Sequence, residues 1–109
     1  MTAQDIIEQQ MPIAIQKRPT LVAEINQVIH WNILGEQGGQ WTMDLTRNED
    51  CIENGLNGKA ALKITITDSD FVLLRQGQLN GMMAVMTGKL KFEPMNLSLA
   101  MKVAQLMGK

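Results

Sequence analysis

Few residues in this chain could carry out acid–base or covalent chemistry, and they are scattered. His30 is the only histidine and lies in the alternating stretch Val28–Leu34, where a half-buried strand turns every second side chain to the wet face. Asp68 and Asp70 have the spacing of an acid–base pair, but with Ser69 they also open a helix, and a cap accounts for them more simply. Cys51 is the single cysteine. It has no helix N-terminus or cationic partner in the sequence pattern to hold it as a thiolate. Alone, it can form neither an internal disulfide nor a thiolate metal site. No glycine-rich phosphate loop, metal-ligand cluster or Ser–His–Asp arrangement is present. The expectation is a protein that is not an enzyme, with no catalytic residue, no metal and no cofactor.

The chemistry that stands out is apolar. Six of the nine methionines fall between Asp68 and Met107, at Met82, Met83, Met86, Met95, Met101 and Met107. Methionine fills irregular gaps in cores and is also over-used at adaptable binding surfaces. Core filling is the commoner role, and the same atoms can serve both. A site for a drug-sized ligand measures about 300–1,000 Å³. Leaving even ~300 Å³ dry and empty would cost up to ~7 kcal/mol at ~24 cal/mol per Å³, against a total stability of ~5–15 kcal/mol. Such a site is therefore occupied, wet, or partly collapsed around flexible side chains. The expected occupant is a lipid or another apolar small molecule.

The elements that must position these side chains are legible from periodicity. Thr2 caps a first helix near residues 3–10, Pro12 marks a break or a fresh start, and Thr20 caps a further short helix carrying Leu21, Val22 and Ile25. Ile29, Trp31 and Ile33 alternate with His30 and Asn32; after a hairpin at Gly35–Gly39, Trp41, Met43 and Leu45 alternate with Thr42, Asp44 and Thr46. A turn at Arg47–Asp50 leads to a short edge strand at Cys51–Glu53. Ala60, Leu62, Ile64 and Ile66 mark the next strand, and Leu90 and Phe92 the last. Between these two strands, Asp68 opens a helix with Phe71 and Leu74 facing inward, and a second helix, Leu79–Thr87, is apolar almost all round. In the final helix Ser98, Lys102, Gln105 and Lys109 form one thin polar stripe, which leaves more apolar perimeter than one sheet consumes. Strands with one wet face and helices gathered late indicate an α+β sandwich of two layers.

The composition sets limits on partners. At 109 residues the chain is expected to be a single domain over 1–109. Ten basic and eleven acidic residues give a net charge of −1, so no nucleic acid partner is expected. Lys89, Lys91, Lys102 and Lys109 gather late in the sequence and could make transient contact with a membrane surface, although a solvated face explains them as well. The N-terminus lacks a signal-peptide pattern and no apolar run reaches the ~20 residues of a membrane span. The expected location is cytoplasmic.

Three blocks carry a resemblance. Thr65–Phe71 (TITDSDF), Met86–Lys91 (MTGKLK) and Leu99–Lys102 (LAMK), in this order and at these separations, resemble the sterol carrier protein type 2 family, and Trp41 leading a strand after a glycine-rich hairpin fits the same pattern. The likeness runs from Val28 to Leu106, loosely before that, and departs at Phe92–Asn96, where the family usually has a glycine-containing turn. The resemblance implies a five-stranded, mostly antiparallel sheet with helices covering one face and a hydrophobic tunnel between the layers. It also implies broad binding of fatty acids, acyl-CoA, sterols or similar lipids. Carried over by position, the lining is Phe71, Leu74, Leu79, Met82, Met83 and Met86, closed by Leu97, Met101 and Leu106 and floored by Trp41 and Met43. Two other readings stand beside the carrier. One is an accessory or scaffold module presenting a lipid-soluble substrate, such as a quinone precursor, to a partner enzyme. The other is a homodimer joined through Met95 or Met107.

Overall fold

The computed structural model describes residues 1–47 and 49–108. Asn48 of the expected turn and Lys109 of the expected stripe lie outside the described residues. Thr2 starts the first helix through a reciprocal cap: its Oγ1 accepts the Asp5 N–H at 3.1 Å while the Asp5 carboxylate accepts the Thr2 N–H at 3.0 Å. Pro12, expected as a break or a fresh start, stands at the start of a new α-helical segment inside a continuous helical rod. The chain winds through α1 (Ala3–Asp5), a π-helical segment (Ile6–Gln10) and α2 (Met11–Lys17). The Met11 N–H reaches back five residues to the Ile6 carbonyl, so the wider turn comes just before the proline ring that would crowd the carbonyl four residues earlier. Ile6, Ile7, Met11 and Ala14 are buried along this rod. The next helix, α3 (Pro19–Ile25), starts on Pro19 rather than on a Thr20 cap and ends at Asn26 in the left-handed conformation.

The five strands are β1 (Val28–Leu34), β2 (Gly39–Asp44), β3 (Ile52–Asn54), β4 (Leu62–Thr67) and β5 (Leu90–Glu93), in the spatial order β3-β2-β1-β4-β5. Every neighbouring pair is antiparallel except β1 and β4, which the crossover through β2 and β3 makes parallel. The alternation places one apolar row on another. Trp41 faces Trp31, Trp31 faces Ile64 and Ile64 faces Phe92, while Met43, Ile29 and Leu62 form the row beside them. The opposite face is polar, and its buried Thr42 is held under the Gly55–Asn57 loop by bonds to the Gly55 carbonyl and the Asn57 N–H.

Helices α4 (Asp68–Arg75), α5 (Gly81–Met86) and α6 (Leu97–Met107) complete the other layer with the N-terminal rod and α3. The cap of α4 is Thr67, whose Oγ1 accepts the Asp70 N–H at 3.2 Å. Asp68, expected as that cap, instead accepts the Gln37 N–H at 2.9 Å and the Ser69 N–H at 2.8 Å, tying the hairpin loop to the helix. Helix α5 is shorter than the expected Leu79–Thr87 because the Asn80 side chain caps it by accepting from Met82 and Met83. It lies against β5 and α6. The layer between sheet and helices, where the tunnel is expected, is packed by Trp31, Phe71, Leu74, Leu90, Ala100, Val103, Leu106 and Met107.

Candidate functional site

Trp31, at the middle of the central strand, is fully buried and meets the Phe71 ring edge-on with centroids 5.3 Å apart. On its flank, Trp41 is also buried, its six-membered ring laid over Gly39 so closely that a Cβ there would come within 2.7 Å of it. The Trp41 indole N–H donates to Glu8 Oε2 at 3.1 Å, joining β2 to the π-helical segment. Beyond Trp41 the sheet narrows to the three residues of β3, too short to close against the N-terminal rod. A cavity of about 650 Å³ remains there, lined by Glu8, Pro12, Ile15, Gln16, Trp41, Glu49, Asp50, Cys51, Ile52 and Asn54. Its volume falls within the range of small-molecule sites, about 300–1,000 Å³. Pro12, Ile15, Trp41, Cys51 and Ile52 make the apolar wall, and the exposed Glu8, Glu49 and Asp50 give the rim three carboxyl groups.

The residues expected to line a tunnel are divided by this arrangement. Trp41 lines the cavity. Met43, Phe71, Leu74 and Leu106 are buried in the packed layer behind it. Leu79 and Met101 are half-buried, and Met82, Met83, Met86 and Leu97 are exposed at 54%, 51%, 74% and 56%, at the β5 side of the sheet. The cavity and the exposed methionines therefore flank opposite edges of one apolar layer. Of the two methionines considered for a dimer contact, Met95 is 84% exposed and Met107 is buried.

Sequence reasoning missed Glu8, Pro12, Ile15, Gln16, Glu49, Asp50, Cys51, Ile52 and Asn54. The available signal was the brevity of the Cys51–Glu53 strand, since an edge strand of a few residues cannot cover a rod of fifteen.

Polar groups near the cavity explain its chemistry. Burial, followed by the Asp44 carboxylate, pushes the Cys51 thiol above its ordinary value, and the Sγ lies 3.3 Å from the Arg47 carbonyl. A bond from the Thr46 hydroxyl holds the Asp44 carboxyl below its ordinary value. His30 pairs through Nε2 with the Asn57 carbonyl at 3.0 Å on the polar sheet face, away from the cavity. Among the described residues, no His, Cys, Asp and Glu cluster could hold a metal ion, and no helix is long and apolar enough to cross a membrane. The arrangement can bury an apolar group.

Residues 7–108 match the SCP-2 sterol transfer family. This chain belongs to that family. Human (Homo sapiens) hydroxysteroid dehydrogenase-like protein 2 is 35% identical over 88 residues, covering 79% of this chain and 21% of that protein. The chain spans about a fifth of the length of the curated relatives it matches. Among solved structures, palmitated SCP2L2 from Aedes aegypti superposes with a TM-score of 0.77 at 22% identity, covering 98% of this chain and 95% of that one. UbiJ-SCP2, a ubiquinone synthesis protein, superposes at 0.67 with 14% identity, covering 94% and 89%. At these identities the structural likeness establishes a shared SCP-2 fold, an α+β sandwich on a five-stranded mixed sheet.

Proposed function

We propose that this SCP-2 domain is a non-enzymatic lipid-binding and transfer module that takes fatty acids, acyl-CoA, sterols or similar apolar ligands between its sheet and its helices. The observation that carries this reading is the cavity of about 650 Å³ walled by Trp41, Ile52, Ile15 and Pro12 at the open edge of the apolar layer. The ligand enters there and extends under the helices past Met43, Phe71, Leu74 and Leu106. Leu79, Met82, Met83, Met86, Leu97 and Met101 fold over its far end. In this reading the packed layer is the collapsed, ligand-free form, which spares the protein the cost of a large dry void. Support also comes from the palmitated SCP2L2 of the same fold. Burying ~400 Å² of ligand contributes ~10 kcal/mol gross at ~25 cal/mol per Å², and association takes back ~4–15 kcal/mol. Binding would then be modest and broad, as a carrier requires.

The exposed methionines of α5 favour a second reading, in which the loaded domain docks on a partner enzyme and presents a lipid-soluble substrate. The shared fold of UbiJ-SCP2 agrees with it. Native mass spectrometry of protein purified from its own host, followed by organic extraction, tests the carrier. A stoichiometric adduct of fatty acyl, isoprenoid or sterol-like mass is expected. A clean unliganded mass that does not shift on adding excess lipid would sink the carrier reading, and capture of a reproducible enzyme partner would then favour the second.

A further inference from the structure

The two tryptophans of the central row are treated differently by the fold. Trp41 has its indole N–H satisfied by Glu8 at 3.1 Å, whereas Trp31 Nε1 is buried with no hydrogen-bond partner among the described residues. Trp31 is fully buried, and its neighbours are apolar on every side that can be named: Trp41 and Ile64 in register beside it, and the Phe71 ring against its own. The polar side chains of the same strand, His30 and Asn32, point to the opposite face. A phenylalanine would fill such a place without burying a donor, so the N–H is a liability unless something supplies an acceptor.

We propose that the Trp31 indole N–H is the polar anchor of the lipid site, and that the site selects uncharged apolar ligands carrying a carbonyl or hydroxyl oxygen. The inference rests on the carrier reading and narrows its ligand class. Trp31 pairs with Trp41 across the β1–β2 ladder, and Trp41 lines the cavity, so a ligand that extends past Trp41 into the layer comes to the strand position that carries the free donor. One neutral donor in an apolar layer suits one neutral oxygen. It does not suit a carboxylate, whose charge demands several donors or a cation once water is removed. The carboxyl groups of Glu8, Glu49 and Asp50 at the rim further disfavour an anionic head left at the mouth.

The test compares a long-chain methyl ketone, the alkane of equal length and the fatty acid anion of equal length, each titrated into indole-¹⁵N-labelled wild-type protein and into Trp31→Phe. In the wild type the Trp31 Nε1–H resonance should move downfield with the ketone and stay in place with the alkane, and the ketone should bind more tightly than the anion. In folded Trp31→Phe the preference for ketone over alkane should fall about tenfold relative to wild type, the worth of ~1.4 kcal/mol. Differences in water solubility cancel because the same two ligands are compared in both proteins. An unmoved indole resonance on ketone binding, or an unchanged preference in Trp31→Phe, overturns the anchor while leaving the carrier standing. Failure of all three probes to bind overturns the carrier reading and the anchor with it.

Discussion

Cys51 has the chemistry of an inert thiol in a useful place. It is buried in the cavity wall, its Sγ lies 3.3 Å from the Arg47 carbonyl, and desolvation raises its pKa, with the Asp44 carboxylate adding to the effect and the Arg47 guanidinium opposing it. A raised pKa leaves less thiolate at neutral pH, and the thiolate is the nucleophile. Alkylation by iodoacetamide should therefore be slow at pH 7 and keep climbing with pH past the range in which an ordinary cysteine levels off. Adding a bound ligand should slow it further; the mass of the adduct over time reads both effects, and a rate unaffected by a ligand known to be bound would place that ligand elsewhere. The sequence made Cys51 legible as unreactive, because no activating neighbour accompanies it. It could not reveal Cys51 as part of a cavity wall, since that depends on how far β3 falls short of the N-terminal rod. Glu8 makes the same point: nothing local distinguishes it from other helix-surface acids, and only the fold brings it to Trp41. Glu8→Ala should cost about 1–2 kcal/mol in denaturant unfolding and shift Trp41 emission to the red, because the freed N–H faces an open cavity and finds water.

Among the elements, the strands were the most readable, because alternation over four to seven residues has one structural meaning when one face is buried. The helices were harder for physical reasons that differ case by case. Pro12 reads as a break or a fresh start, and what the sequence does not show is the π-helical turn before it that keeps the rod continuous. Helix α5 is apolar almost all round, which reads as central or as lining a site, but with six residues it has only one narrow side to bury. Ala84 is buried, and Gly81 lies so close to α6 that a Cβ there would come 2.8 Å from the Ala104 Cβ. Hydrophobic periodicity cannot foresee a contact set by a missing side chain. Gly81→Val should push α5 away from α6 and destabilise the protein by about 1–3 kcal/mol, an overpacking cost measurable by urea unfolding. Met83→Glu, at a half-exposed position, should leave the fold intact and weaken binding of long ligands if α5 closes over them. Undiminished binding of a long ligand by the folded variant would remove α5 from the path.

At the scale of the whole molecule, the proposed path is asymmetric, with the cavity at the β3 edge and the exposed methionines of α5 at the β5 edge. The two ends should therefore be separable by ligand length. Each added methylene that enters the layer contributes ~0.8 kcal/mol, about a fourfold gain in affinity, and the gain should stop where the ligand emerges past α5. A series of methyl ketones of increasing chain length, measured by calorimetry, should show a steady rise and then a plateau. Ile52→Glu, in the cavity wall, places a charge at the entrance and should lower affinity at every length by a similar factor. Met83→Glu should leave the short members untouched and bring the plateau forward, because only longer chains reach it. If Ile52→Glu instead affected the long members alone, the ligand would be entering from the α5 end and its orientation would be reversed. If neither substitution changed any member, the ligand would lie outside the sheet–helix layer, and the cavity at β3 would have to be explained by something other than lipid.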